Sequence, residues 1–294
     1  MSKNSLLVIN PKSGKMQIHK ELINIIDLLN KNDYNVDVKI TQYKGHATKI
    51  IEEIENKDLI ICSGGDGTLN EVISGLVKSN NKIPIGYIPS GSTNDFASTI
   101  KIPNKIIDAT RNIIEGSPSL IDVGQVNNNS CFVYVASFGA FTSVSYNTSQ
   151  EIKNIFGHLA YIFSGITALS EIKTYYVKYE VNNKQYEGEY LIGLVLNTTS
   201  VGGVLKFAND DIKLNDGLFE ILFIKNPKNI TEYNQILEGL ITSNFSHPIF
   251  HYTQTNHINI HLEESISWSL DGEEVKMDKD IEIINLNNKI EIIT

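Results

Sequence analysis

Between Ser63 and Val72 the chain reads Ser-Gly-Gly-Asp-Gly-Thr-Leu-Asn-Glu-Val, a glycine-dense turn carrying one aspartate. The run before it, Asp58-Leu59-Ile60-Ile61-Cys62, has the length and apolar character of a buried strand, and Leu69, Val72, Ile73, Leu76 and Val77 behind it recur at helical spacing. A strand that passes into a helix through such a turn points to an α/β sheet. Gly64, Gly65 and Gly67 let bare backbone approach a ligand, and the helix N-terminus favours an anion, so the turn has the chemistry of a phosphate loop. It is not a Walker loop, since no Gly-Lys-Ser/Thr follows, nor the Gly-x-Gly-x-x-Gly dinucleotide fingerprint. Glycine turns after strands often only reverse the chain, so the reading depends on what accompanies this one.

Two further loops share its position and chemistry. Asn10-Pro11-Lys12-Ser13-Gly14-Lys15 follows the apolar run Leu6-Leu7-Val8-Ile9 and precedes the helical spacing of Leu22, Ile25, Ile26 and Leu29. Pro89-Ser90-Gly91-Ser92-Thr93-Asn94-Asp95-Phe96-Ala97 follows Ile83-Pro84-Ile85-Gly86-Tyr87-Ile88. Each lies after the carboxyl end of a strand, the edge at which open, mainly parallel α/β sheets bind ligands. Three such loops in order can converge on one nucleotide, and Asp66 then stands where a metal-bound triphosphate needs a carboxylate.

The texture of the chain changes near Asp122. Up to there, strand-like runs at Leu6 to Ile9, Val36 to Ile40, Leu59 to Cys62 and Ile85 to Ile88 alternate with amphipathic segments, the rhythm of βαβ units. Beyond Gly116-Ser117-Pro118 come strands such as Cys131 to Ala136, Tyr175 to Val181, Tyr190 to Leu196, Leu218 to Ile224, Ile258 to Leu262 and Ile281 to Ile284. Glycine, asparagine and aspartate turns separate them, as in antiparallel structure. The expected division is an α/β domain over 1–121 and a β domain over 122–294. Residues 152–169 carry Ile152, Ile155, Phe156, Leu159, Ile162, Phe163, Ile166 and Leu169 on a helical repeat, which suits either the wall of an acyl-chain pocket or a helix facing the core.

Composition narrows the class. With 294 residues and 41% apolar content the chain can bury a large core, and the formal net charge of −9 argues against a general nucleic-acid binder. Cys62 and Cys131 lie in apolar runs and read as reduced core residues. Met1 leads through a few polar residues into a strand-like run without a signal-type leader, and no stretch approaches the roughly 20 apolar residues of a spanning helix, so the expectation is a soluble, cytoplasmic protein. His247, His251, His257 and His261 lack a convincing zinc spacing and read as surface or interlayer residues. No Gly-x-Ser-x-Gly elbow supports serine hydrolase chemistry.

The three loops resemble those of the diacylglycerol kinase catalytic family, which includes sphingosine kinases and bacterial lipid kinases. Asn10-Pro11-Lys12-Ser13-Gly14 is similar to its first nucleotide loop, Gly64-Gly65-Asp66-Gly67-Thr68-Leu69-Asn70-Glu71 to its signature, and Gly91-Ser92-Thr93-Asn94-Asp95-Phe96-Ala97 to its third motif. Ser92 stands where threonine is usual, which keeps the hydroxyl. Val201-Gly202-Gly203, Asn215-Asp216-Gly217 and Asp271-Gly272-Glu273 resemble the family's later landmarks, so the likeness runs through most of the chain. It implies an N-terminal α/β nucleotide-binding domain with a mainly parallel sheet, a C-terminal antiparallel β-sandwich that carries the lipid-substrate and metal sites, and an active site in the cleft between them.

The resemblance also implies roles. Asn10, Pro11, Lys12, Ser13, Gly14, Thr41, Gly64, Gly65, Gly67, Thr68, Leu69, Asn70, Glu71 and Thr93 are the expected contacts to ATP; Asp95 holds the third loop or supports the metal. Asp66 acts through magnesium or by orienting the base and nucleophile, and Glu273 is the general base that takes the proton from the attacking hydroxyl. A bare Asp-Gly pair is otherwise a common hairpin signal. A structural magnesium is expected at the Asp216 carboxylate and the carbonyls of Lys213 and Leu218, a donor set compatible with an ion that keeps several waters.

The resulting expectation is an ATP- and magnesium-dependent lipid kinase that converts diacylglycerol to phosphatidic acid. It meets its lipid transiently at the membrane surface through an apolar lip or a small basic patch. Other acceptors, a sphingoid base or phosphatidylglycerol, fit the same loops. An NAD kinase shares the Gly-Gly-Asp-Gly turn but not the third loop with the late Asp-Gly-Glu. A catalytically silent nucleotide- or lipid-binding regulator is the reading from another class, and a homodimer is compatible with all of them.

Overall fold

In the computed structural model, residues 2–14, 18–91, 94–139, 173–198, 200–201, 205–206 and 213–294 are described, with backbone alone at residues 95, 200, 201, 205 and 206. Lys15, Ser92, Thr93, Gly202, Gly203 and residues 152–169 and 207–212 lie outside the described residues. Two compact units form, Met1–Val123 with Asn288–Thr294, and Gly124–Asn287.

The first unit alternates β1 (Lys3–Ile9), α1 (Ile18–Asn30), β2 (Tyr34–Ile40), α2 (His46–Glu52), β3 (Leu59–Gly64), α3 (Asp66–Ser79), β4 (Ile85–Pro89), α4 (Asp95–Thr99) and α5 (Ile106–Glu115). The strands lie in the order β2-β1-β3-β4, every pair parallel, and Ile292 from the chain's end pairs in parallel with Ile85 beyond β4. All six residues of β3 are buried, as a strand covered on both faces must be, which explains its unbroken apolar run. Helix α1 buries Ile25 and Leu29 of its expected stripe together with Ile18, while Leu22 and Ile26 are half-buried; α3 buries Leu69, Val72, Ile73 and Leu76, with Val77 half-buried. Parallel strands with helical crossovers send every βα loop to one edge.

The second unit is antiparallel. Strand β5 (Pro118–Val126) leads in, followed by β6 (Ser130–Phe132), β7 (Val135–Gly139), β8 (Tyr175–Val181), β9 (Lys184–Leu196), β10 (Ser200–Val201), β11 (Leu205–Lys206), β12 (Phe219–Lys225), α6 (Ile230–Thr242), β13 (Phe250–Thr255), β14 (His257–Leu262), β15 (Ile266–Leu270), β16 (Glu273–Met277) and β17 (Asp280–Ile293). The long β9 joins two paths. Its first residues pair with β8, which continues to β14, β17, β5 and β6; its last residues pair with β7 and β12, the former leading to β15 and β16, the latter to β13. Strands β14 and β15 alternate buried and more exposed residues, one face toward an apolar core that includes Phe132, Phe138, Tyr179, Phe219, Phe223 and Trp268. Phe138 meets Phe223 edge-on at 5.6 Å and the Trp268 ring at 4.9 Å.

Two features depart from the sequence expectation. Cys131 to Ala136 reads as one strand but is divided at Val133 and Tyr134 into β6 and β7, because a buried side chain from far along the chain claims the intervening backbone N–H groups. The last residues, Asn288–Thr294, belong to the first unit. Cys62 and Cys131 are both buried. Among the described residues, no helix is long and apolar enough to cross a membrane.

Candidate active site

At the carboxyl edge of the first unit's sheet, the loops after β1, β3 and β4 lock onto one another. Backbone bonds set the base: Asn10 N–H donates to Ser63 O at 3.0 Å, and Ser90 N–H to Gly64 O at 2.8 Å. Side chains then tie loop to loop. Asn10 Nδ2 donates to Thr68 Oγ1 at 3.0 Å, while its Oδ1 accepts the Lys12 N–H at 3.0 Å. Ser13 Oγ lies 2.9 Å from Ser90 Oγ, which also approaches Ser63 Oγ at 3.5 Å. Ser13 and Thr68 are buried, whereas Lys12 is exposed and Pro11 half-buried.

The approach leaves no room for side chains. A Cβ on Gly14, whose φ is +52°, would stand 2.3 Å from Ser90 O, and one on Gly91 would stand 2.5 Å from Gly65 Cα. The third loop closes on Asn94, which is buried and left-handed at φ 56°: its Oδ1 accepts from Gly91 N–H at 2.9 Å and its Nδ2 donates to Gly91 O at 3.1 Å. Ser90 and Asn94 are therefore structural members of the site that the sequence reading named only as part of a motif.

Asp66 and Gly67 open α3, whose N-cap residue, Gly65, contributes no side-chain cap. The long helix thus presents its positive end at the loops' meeting point. Asp66 Oδ1 accepts the Phe96 N–H at 3.3 Å, linking α3 to the start of α4, and Leu69 turns into the core. Asn70 is half-buried, with Ser74 Oγ donating to its Oδ1 at 3.4 Å. Glu71 points elsewhere. Its Oε1 accepts Gly45 N–H at 2.7 Å and its Oε2 accepts Ala47 N–H at 3.1 Å, so it caps α2 and shapes the turn after β2, where buried Thr41 donates its N–H to Ile9 O at 2.9 Å. Burial pushes the Cys62 thiol and the Tyr87 hydroxyl up; Glu71 and Asp66 add to the first effect, and Asp66 to the second. That negative field would repel phosphate, so a cation beside Asp66 fits the donor chemistry.

In the second unit, Glu273 opens β16 and is exposed. The Asp271-Gly272 pair before it forms a two-residue hairpin turn, with φ 49° and 86°, joining Leu270 to Glu273. Asp271 itself is buried, its carboxylate holding three backbone amides, a role that no local signal could distinguish from the ordinary Asp-Gly turn. In the turn before β12, Asp216 Oδ1 accepts the Leu218 N–H at 3.0 Å; Lys213 and Asp216 are exposed and Leu218 half-buried. Among the described residues no three His, Cys, Asp or Glu side chains cluster as a metal site, so any magnesium here would rely on Asp216, main-chain oxygens and water. Thr93 and the Asp95 side chain are outside the described residues.

The sequence profile of the diacylglycerol kinase catalytic domain matches residues 4–126. A diacylglycerol kinase of Bacillus subtilis (strain 168) is 34% identical over 277 residues, covering 92% of this chain and 90% of that protein. One from Staphylococcus aureus (strain MRSA252) is 34% identical over 276 residues, covering 93% and 87%. A solved diacylglycerol kinase structure from Bacillus anthracis (strain Sterne) matches with a TM-score of 0.73 at 25% identity, over 99% of this chain and 96% of that one. Another structure from that strain gives a TM-score of 0.82 at 26% identity, over 99% and 96%.

Proposed function

The chain belongs to the diacylglycerol kinase family and is a lipid kinase, and from that premise we propose that it transfers the γ-phosphoryl group of ATP to the hydroxyl of diacylglycerol, giving phosphatidic acid. The observation that carries this reading is the meeting of the loops after β1, β3 and β4, where a Cβ on Gly14 or Gly91 would strike the neighbouring backbone. Such closeness suits main chain that must wrap a polyphosphate at a helix N-terminus. In this reading Asn10 to Gly14, Gly64, Gly65, Gly67, Thr68, Asn70 and Thr93 contact the nucleotide, with Leu69 contributing only backbone. Glu71 supports Thr41 and the turn after β2, and Asp95 steadies the third loop.

Magnesium, held near Asp66, would supply the positive charge that neutralises the phosphates. Asp66 orients the reacting groups, and Glu273 takes the hydroxyl proton as the phosphoryl group moves. A second magnesium at Asp216 and the carbonyls of Lys213 and Leu218 would order the turn before β12. The enzyme would work in the cytoplasm and meet its lipid at the membrane surface.

The test is transfer from labelled ATP to diacylglycerol, sphingosine, phosphatidylglycerol and NAD, the lipids in mixed micelles, with the wild type, Asp66→Asn and Glu273→Gln. The expected product is phosphatidic acid, reduced about 10² to 10⁴-fold in Glu273→Gln. Phosphorylation of another acceptor would replace diacylglycerol in the reading; full activity in Glu273→Gln would remove the proposed base.

A further inference from the structure

The Asp271-Gly272 turn holds more than a hairpin needs. With both central residues at positive φ, the turn accepts asparagine as readily as aspartate, so the turn alone does not explain a carboxylate. Asp271 is 5% exposed. Its Oδ2 accepts the Val133 N–H at 2.7 Å, and its Oδ1 accepts the N–H groups of Tyr134 and Val135, both at 3.0 Å. Its own N–H donates to Val135 O at 2.9 Å. Three consecutive amides, the two between β6 and β7 and the first of β7, therefore converge on one side chain more than 130 residues away, given separations of 136 to 138.

The same backbone is gripped from a third place. Asn197, fully buried at the end of β9, donates its N–H to Tyr134 O at 2.9 Å and its Nδ2 to Val133 O at 3.1 Å. The amides and carbonyls of residues 133–135 are thus fixed together by Asp271 and Asn197, and strand pairing of Ser269 with Ser137 and Leu270 with Ala136 extends the lock along β15. Backbone groups held in this way resist small displacements, because any shift strands a buried donor or acceptor. Glu273 sits two residues beyond the locked carboxylate, opposite Leu270 in the hairpin.

We propose that Asp271, seconded by Asn197, is a positioning residue for Glu273: the clamp on residues 133–135 fixes the hairpin that presents the base. The inference rests on the reading of Glu273 as general base. Aspartate is required because it accepts on both oxygens, whereas an asparagine amide accepts on one and would turn an N–H₂ group toward a backbone donor. Misplacing a catalytic group by about 1 Å costs on the order of 10²-fold in rate.

The experiment compares the full-length wild type, Asp271→Asn, Asn197→Ala and Glu273→Gln by kcat, KM for ATP and the pH profile of kcat, with circular dichroism of each. Asp271→Asn keeps the favoured Asn-Gly turn and should stay folded, with kcat down about 10- to 100-fold and KM for ATP unchanged. Asn197→Ala, which changes no charge, should lower kcat by a smaller factor and move the acid limb of the profile, a change that simple loss of folded protein would not produce. Wild-type kcat and pH profile in both clamp variants, with Glu273→Gln inactive, would overturn the positioning role while leaving the base in place. Wild-type activity in Glu273→Gln would overturn both. Should Asp271→Asn fail to fold, Asn197→Ala decides alone: an unmoved acid limb and unchanged kcat reject the proposal.

Discussion

In the first unit the loops after β1, β3 and β4 come together because side chains are missing: Gly14 reaches Ser90 O and Gly91 reaches Gly65 Cα across gaps that a methyl group would close. In the second unit the turn before Glu273 is held by a side chain that is present, the buried Asp271 carboxylate, across three amides. The difference follows from what each loop must do. Loops proposed to wrap a phosphate need most of their N–H groups turned outward to the ligand, so close backbone packing secures them while the Asp66 carboxylate takes only the Phe96 N–H. A hairpin that carries one acid has no such constraint, and its backbone can be tied down completely.

The contrast breaks first at Gly91. Gly91→Ala should abolish tight nucleotide binding and lower transfer by at least about 100-fold, because the new Cβ would meet Gly65 Cα and Asn94 Oδ1 at 2.5 and 2.8 Å, and backbone rather than a flexible side chain would have to move. Calorimetric titration with ATP and the transfer rate report the two effects. Near-normal ATP affinity would mean that the contact between the second and third loops is not needed to hold nucleotide.

Glu71→Gln sharpens the comparison from the other direction, because Glu71 is a first-unit carboxylate that holds two backbone amides at once, those of Gly45 and Ala47. A glutamine can satisfy only one of the two N–H groups of Gly45 and Ala47, so about 1 to 2 kcal/mol of stability should be lost in denaturant unfolding. ATP affinity should weaken a few-fold through the turn after β2, with kcat little changed. A collapse of kcat at unchanged stability would move Glu71 into direct contact with the reaction.

These regions were unequally legible in the sequence. The parallel sheet, its helices and its three loops were readable because each signal is local: an apolar strand, a glycine turn and a helical stripe lie within about twenty residues. The Asp271-Gly272 pair signalled a turn before Glu273, and the family resemblance supplied the expected role of Glu273 as base. Asp271 was legible as a turn residue and nothing more, since its partners lie 136 to 138 residues earlier, and the break between β6 and β7 that it imposes was read as one strand. Glu71 shows the converse limit. Its place in the signature suggested a nucleotide contact, while the amides it holds belong to a helix whose sequence carries no mark of needing it.

The smallest effect is expected from the ionisable groups of the second unit, because two of them oppose each other. Burial pushes the Glu220 carboxyl up to about 7 from its ordinary 4.5, with Asp216 adding to the rise, and Gln254 Nε2 donates to Oε1 at 3.1 Å. The folded chain then keeps a proton that the unfolded chain has released, so stability from Glu220 is full below pH 4.5 and is lost as pH rises toward 7. His251 behaves in reverse. Burial, with Lys225 nearby, lowers it from 6.5, its Nδ1 2.6 Å from the Tyr179 hydroxyl, so its contribution is full above pH 6.5 and is lost as pH falls below that value. Between these limits the slopes subtract, and wild-type unfolding in guanidinium should vary little with pH. Glu220→Gln removes one arm and should leave stability rising with pH; His251→Asn, which keeps an acceptor for Tyr179, should leave it falling. Gly91→Ala, which changes only the first unit, should keep the wild-type dependence whatever it does to nucleotide binding. Identical pH dependence in all four proteins would show that neither group titrates between the folded and unfolded chain, and that the second unit is held together without regard to proton concentration.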